Sequence, residues 1–213
     1  MQLTKHGHSC VRIDDGDRTL VIDPGAFSDL DPALDGADAV LITHEHTDHL
    51  NAERVRAAAT ADPRLRIWAP APVASSLADL GEQVVSVGAD ESFEAVGFAI
   101  QTFGGQHALI HPLIPLVANV GFLVNGSVYH PGDSLVVPPV PVQALMLPAA
   151  APWSKMSEVI DFAVAVRAPF AYPIHDAIIG DLWQGILRNN LTPIVARFGV
   201  DFRSFADPVS VSG

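Results

Sequence analysis

A single cysteine, Cys10, is all the thiol chemistry this 213-residue chain carries. An internal disulfide is therefore excluded, and a reducing compartment fits the composition. Cationic residues are scarce as well: twelve Lys and Arg face 24 Asp and Glu, for a formal charge of −12, and the only lysines are Lys5 and Lys155. A surface of that sign repels nucleic-acid backbones and anionic membranes at long range. No apolar run reaches the length of a membrane span, because Gly, Pro or a charge interrupts each one. The opening Met1-Gln2-Leu3-Thr4-Lys5-His6 lacks the apolar core of a secretory signal, so the expectation is a cytoplasmic protein with no membrane partner. Nucleophile motifs are missing too. There is no Gly-x-Ser-x-Gly elbow, and Cys10, between Ser9 and Val11 in an expected strand, reads as a small core residue.

What is present is a globular, apolar chain, 49% hydrophobic and 17% charged, long enough to bury a full core and most simply one domain over residues 1–213. One stretch dominates it. Thr43-His44-Glu45-His46-Thr47-Asp48-His49-Leu50 packs three histidines and an aspartate directly behind the apolar run Ala39-Val40-Leu41-Ile42. The run is short and β-branched, so it reads as a buried strand that ends where the histidines begin. Side chains repeat every two residues in an extended segment, so His44 and His46 point the same way. Asp48 and His49 follow as the chain turns toward Asn51, an expected helix cap with Glu53 in the first turn. Imidazole and carboxylate donors together suit zinc, manganese or iron better than calcium or magnesium. Four such donors nearly fill one tetrahedral zinc, and further His and Asp residues downstream point to a second metal.

The remainder alternates strand and helix patterns, as an α/β sandwich does. Strands are expected over residues 2–5, 9–14 and 19–22, the last two joined at Asp15-Gly16-Asp17. A helix over 52–61 ends at Asp62-Pro63, and a strand over 66–69, a helix over 73–80 stopped by Gly81 and a strand over 84–87 follow. Strands at 98–103, 120–124 and 127–129 come next, the last pair joined by Asn125-Gly126. The pattern continues with a strand at 144–147, an amphipathic helix at 155–166, a strand at 170–174 and a helix at 180–190. Residues 197–205 read as a closing edge segment and 207–213 as a frayed tail. No internal repeat is visible by eye.

His44-x-His46-x-Asp48-His49 resembles the signature of the metallo-β-lactamase fold superfamily, and its other motifs follow in order. They are Asp23 in Val21-Ile22-Asp23-Pro24-Gly25, His107 in Gly104-Gly105-Gln106-His107, Asp133 in His130-Pro131-Gly132-Asp133-Ser134, and His175 in Tyr172-Pro173-Ile174-His175. His6-Gly7-His8-Ser9 and the His130–Ser134 motif resemble the branch of small hydrolases that includes the ascorbate phosphate lactonase. The resemblance implies a four-layer αβ/βα sandwich of the metallo-β-lactamase type. It also implies His44, His46 and His107 at one metal, Asp48, His49 and His175 at another, Asp133 between them, and Asp23 orienting a histidine ligand. The cofactors it implies are two divalent ions, zinc or manganese. The activity it implies is hydrolysis of an ester, lactone, amide or phosphoester of a small molecule by metal-bound hydroxide, with Asp48 orienting that hydroxide; the lactonase likeness adds small polar or phosphorylated substrates. His107 takes the third motif's position, while His111 is left open as pocket group, supporting donor or solvated loop residue. His130 is expected behind the site, and Trp153 and Lys155 are candidate substrate contacts. Two other readings stand beside the hydrolase: a non-catalytic, metal-stabilised binding protein, and a nucleic-acid phosphodiesterase, against which the charge speaks.

Overall fold

The computed structural model describes residues 1–205 and 208–212. Its first sheet starts as a meander of β1 (Gln2–Lys5), β2 (Val11–Asp15) and β3 (Arg18–Ile22), all antiparallel. It continues with β4 (Ala39–Leu41), β5 (Arg66–Ala69) and β6 (Val84–Ser86), each parallel to the last. Parallel neighbours need crossovers. These are α1 (Leu30–Leu34) before β4, α2 (Ala52–Ala61) before β5, and α3 (Ala71–Ser76) with a 3-10 segment over Ala78–Gln83 before β6. The second sheet repeats the scheme. β7 (Ser92–Ala95), β8 (Phe98–Gly104), β9 (Val120–Val124) and β10 (Val128–His130) are antiparallel. β11 (Ala144–Pro148), β12 (Phe170–Ile174) and β13 (Asp201–Phe202) then add in parallel, with α4 (Met156–Val166) and α5 (Asp181–Val195) as crossovers. A last strand, β14 (Val209–Ser210), returns to the first sheet beside β1.

Strand alternation sorts the side chains into layers. Leu20, Ile22 and Leu41 of the first sheet meet Phe122, Val124 and Met146 of the second in the core between the sheets. Their neighbours point outward: Val21 and Val40 pack with Val55 and Ala59 of α2, and Leu123, Leu145 and Leu147 pack with Val159, Phe162 and Leu191 of α4 and α5. The order is therefore helices, sheet, sheet, helices, the αβ/βα sandwich expected. β4 and β11 are buried along their whole length, as strands covered on both faces must be.

α2 and β5 have the boundaries read from the sequence, and the Asn51 side chain accepts a bond from the Arg54 amide as a cap should. β1, β9 and β12 match the reading to the residue as well, and other elements correct it. The helix expected over 73–80 starts at Ala71 and breaks at Leu77 into the 3-10 segment. The expected frayed tail instead pairs Val209 and Ser210 with Leu3 and Gln2; Asp207 and Gly213 lie outside the described residues. The edge segment expected over 197–205 narrows to β13. α1 and β7 were unforeseen, as was the repetition of an antiparallel-then-parallel order in two sheets of unrelated sequence.

The β7–β8 connection explains one omission. Ala95 pairs with Phe98, leaving Val96 and Gly97 as a two-residue loop with φ of 49° and 82°. Two positive φ angles define a type I′ turn, which favours Asn-Gly; a β-branched residue at the first position is strained. Asn125-Gly126, with φ of 48° and 62°, shows the preferred pair in the same conformation. Val96→Asn is expected to stabilise the protein by about 1 kcal/mol, which thermal unfolding should register as a rise of about 2–4 °C; an unchanged or lowered midpoint would refute the strain.

Candidate metal centre

The site assembles where strands end. β1 leads to His8, β3 to Asp23, β4 to the His44–His49 loop, β8 to His107, β10 to Asp133 and β12 to His175. Two groups of side chains result, each with ligand atoms within 4.8 Å of one another: His44, His46, His107 and Asp133 in one, and His8, Asp48, His49 and His175 in the other. Asp133 lies between the groups. Its Oδ2 is 3.2 Å from both His107 Nε2 and His175 Nε2, and its Oδ1 is 3.1 Å from His49 Nε2. All seven residues singled out in the sequence are thus brought together, and His8, noted only as part of a motif, joins them.

Backbone geometry at these strand ends is unusual. Asp23 and His175 have φ of 51° and 60°, a left-handed conformation that costs energy for residues other than glycine. Two glycines allow close approach. A Cβ on Gly25 would fall 1.8 Å from the Asp48 carbonyl oxygen, and one on Gly132 would fall 2.6 Å from Thr43 Cβ. The loop carrying Asp48 therefore sits with its backbone directly on Gly25, and the turn carrying Asp133 sits directly on the Thr43 and Asn119 side chains. Backbone bonds from Ala26 N to Thr47 O and from Asn51 N to Pro24 O fasten that loop to the end of β3.

Asp23 is fully buried and holds three donors: Thr43 N and Thr43 Oγ1, each at 2.7 Å, and His49 Nδ1, also at 2.7 Å. His44 Nδ1 lies 2.9 Å from Thr43 Oγ1, whose proton is committed to Asp23, so this imidazole donates to the hydroxyl oxygen. His107 Nδ1 donates to the Ala108 carbonyl, and His175 Nδ1 to the Ala150 carbonyl at 2.8 Å. Four imidazoles, His44, His49, His107 and His175, are therefore fixed with a proton on Nδ1 and with Nε2 turned inward, the orientation metal-binding histidines commonly have. His8 is fixed the other way. The Ala177 amide donates to its Nδ1 at 3.3 Å, so its Nε2 carries the proton, 3.3 Å from Asp48 Oδ2. His8 is thus a donor facing Asp48, and proximity alone groups it with the potential ligands.

The residues fit a cation. His49 Nε2 and Asp133 Oδ1 are buried without a hydrogen-bond partner, although each has a polar atom close by. Burial would raise the Asp133 carboxyl, but His49 and hydrogen bonds from His107 and His175 hold it well below the usual carboxylate range. Burial is likewise outweighed at Asp48, where contacts to His175 and His8 keep the carboxyl low. Burial lowers His44 and, next, the neighbouring His49 lowers it further. At His49 the Asp133 and Asp23 charges overcome burial and push the imidazole up, and at His175 Asp133 and Asp48 do the same, to about 9. The carboxylates are thus already in the state a divalent ion requires, and His49 and His175 reach it by giving up the Nε2 proton.

A cavity of about 240 Å³ opens onto both groups, lined by His46, Asp48, His107, Asp133 and His175 and walled by Phe27, Ile110, Pro152, Trp153 and Ile178. Trp153 Nε1 donates to Asp133 Oδ2 at 2.9 Å, so this residue touches the centre itself. Lys155 does not: it is exposed and pairs with Glu158 at the start of α4. His111 is exposed on its loop, accepts a bond from the Leu113 amide and is not among the cavity residues. His130 packs behind the centre, its Nε2 donating to the Ser9 carbonyl. The cue that could have found His8 was its place in His6-Gly7-His8-Ser9; its partner amide is 169 residues away.

The family model of the β-lactamase superfamily domain matches residues 2–175, and the chain belongs to that superfamily. Its sandwich is the metallo-β-lactamase fold. Among its relatives is Protein Rv0786c of Mycobacterium tuberculosis, 37% identical over 217 residues that cover the whole of both chains. A protein of Methanocaldococcus jannaschii named as a UPF0173 metal-dependent hydrolase is 27% identical over 139 residues, 62% of this chain and 60% of that one. Igni18, a metallo hydrolase from Ignicoccus hospitalis, has the same fold, with a TM-score of 0.75 and 18% identity over 100% of this chain and 98% of its own. No helix among the described residues is long and apolar enough to cross a membrane.

Asp23→Asn keeps the shape but removes the charge that holds His49 and Thr43, and is expected to weaken metal binding about 10–100-fold in a chelator competition titration; unchanged affinity would remove Asp23 from the centre. Proton counting offers a second check. With His175 raised to about 9, it is protonated in the metal-free protein at pH 7, and His49 is raised as well. Metal uptake at pH 7 must therefore expel protons, and the number should fall as pH rises through 9. Calorimetry in buffers of different ionisation enthalpy measures it, and uptake without proton release would contradict the assigned charge states.

Proposed function

We propose that the chain is a dinuclear metal-dependent hydrolase of a small-molecule ester, lactone, amide or phosphoester. In this reading His44, His46 and His107 hold one ion, Asp48, His49 and His175 the other, and Asp133 is shared. The observation that carries it is the convergence of these residues from separate strand ends with four imidazole Nε2 atoms turned inward. The names of the relatives as metal-dependent hydrolases agree. Zinc and manganese both suit the donor set.

Ions bound there would supply Lewis acidity, polarising the substrate's acyl or phosphoryl oxygen and acidifying water. The protein's own groups do the rest. Asp48, on the cavity wall and held ionised, orients the attacking water and accepts its proton. His8, behind it, donates to the carboxylate and keeps it facing the cavity. Trp153 closes the space above Asp133, and with Phe27 and Ile110 it limits bulk water. No Ser, Thr or Cys lines the cavity, so the chain offers no covalent nucleophile there. No Lys or Arg lines it either, which removes the support a nucleic-acid phosphodiesterase would need.

Protein purified without chelator should contain two metal equivalents by inductively coupled plasma mass spectrometry and hydrolyse generic aryl ester, lactone or phosphodiester substrates only when loaded. Asp48→Ala should lower turnover by about 10²-fold or more and release one equivalent more readily than the other. Protein that takes up no metal and turns over nothing after reconstitution would favour the binding-protein reading.

A further inference from the structure

The cavity over the two groups of ligands adjoins an apolar groove. Pro152 and Ile178 also line a groove of about 280 Å³ that runs between the β11 end and α5, with Ala149, Met156, Trp183 and Leu187 along it. No residue lining the groove is ionisable, and the ionisable residues of the cavity are all members of the metal centre. The loop that supplies Ile110 carries the exposed Leu109 and Ile114 at the same end of the molecule.

Apart from the proposed ions, nothing in the lining of the loaded cavity or the groove is cationic. Arg188 lines a small cavity that meets the groove at Ile179 and Leu187, where Asp176 lies beside it, and Lys5 is spent on the same aspartate. Lys155 pairs with Glu158, and the chain carries a charge of −12. A phosphorylated or carboxylated substrate would meet long-range repulsion and find no cationic side chain in cavity or groove. An alkyl or aryl chain would instead replace water along an apolar groove that adjoins the reaction site at Pro152 and Ile178.

We propose that the substrate is an uncharged carboxylic ester or lactone whose apolar acyl portion lies in the groove under Trp183 and Ile178, with its carbonyl at the metal centre. This assignment rests on the hydrolase reading and replaces the small polar or phosphorylated substrates that the lactonase likeness implied. In the reaction, the oxygen of water bonds to the carbonyl carbon and the acyl C–O bond breaks. One proton of the water passes through Asp48 to the departing alkoxide, and the other is lost as the product acid ionises.

The test uses the zinc-loaded protein and p-nitrophenyl esters from acetate to octanoate. Each methylene buried should raise kcat/KM roughly three- to fourfold until the groove is full, the succinate half-ester and p-nitrophenyl phosphate should be poor substrates, and Trp183→Asp should flatten the series. A second readout needs no turnover: octanohydroxamate should bind more tightly than acetohydroxamate by the same increments, followed by tryptophan fluorescence. Turnover that ignores chain length, or that favours the anionic substrates, overturns the substrate class and leaves the hydrolase standing. Chain-dependent hydroxamate binding with no hydrolysis of any ester, lactone, amide or phosphoester probe leaves the apolar groove standing and sinks the hydrolase. Failure to bind any hydroxamate overturns the groove.

Discussion

A single buried carboxylate, Asp23, is the contact on which the centre depends. It has no exposure to water and accepts from the Thr43 amide, the Thr43 hydroxyl and His49 Nδ1. A charge in that position would be costly if any donor were missing. Because the donors all come from the loop after β4, the ionised form of Asp23 fixes that loop against the end of β3. Through Thr43 it also fixes the tautomer of His44, so one group sets imidazoles in both halves of the centre.

Strain and close packing surround this contact. Asp23 and His175 accept left-handed backbone, and Gly25 and Gly132 let neighbouring segments meet without side chains between them. Such features persist only where the rest of the fold over-determines them. Here the rigid parallel strands β4, β11 and β12, buried on both faces, supply that constraint. Catalytic precision is thus drawn from the core layers described above, and the loops need only follow the strand ends.

Much of this was legible in the residues. The His44–His49 cluster is local, so its chemistry appears in one line of sequence, and its ordered partners could be matched to a known pattern. α2 was readable to the residue because Asn51 caps it and Asp62-Pro63 stops it. β7 was hidden by the unfavourable Val96 in its turn, and α1 by its brevity and by Pro32 within it. The tautomer of His8 depends on one long-range contact, the Ala177 amide, that no local pattern encodes, whereas His44 and His107 are set by the adjacent Thr43 and Ala108. Trp153 was noticed for its place before α4, but its bond to Asp133 depends on how two distant segments pack. The apolar groove is invisible for the same reason, since its residues come from the β11 end, the start of α4 and α5.

Each group of ligands draws on both sheets. His44 and His46 come from the first and His107 and Asp133 from the second; His8, Asp48 and His49 from the first and His175 from the second. In a chain whose single cysteine permits no covalent bridge, ions held as proposed would be its cross-links, tying residues 44 to 49 to residues 107, 133 and 175. The two halves would then be joined by a bond whose strength varies with free metal concentration. Starvation for metal would act on such a protein twice, silencing its chemistry and shortening its life in the cell.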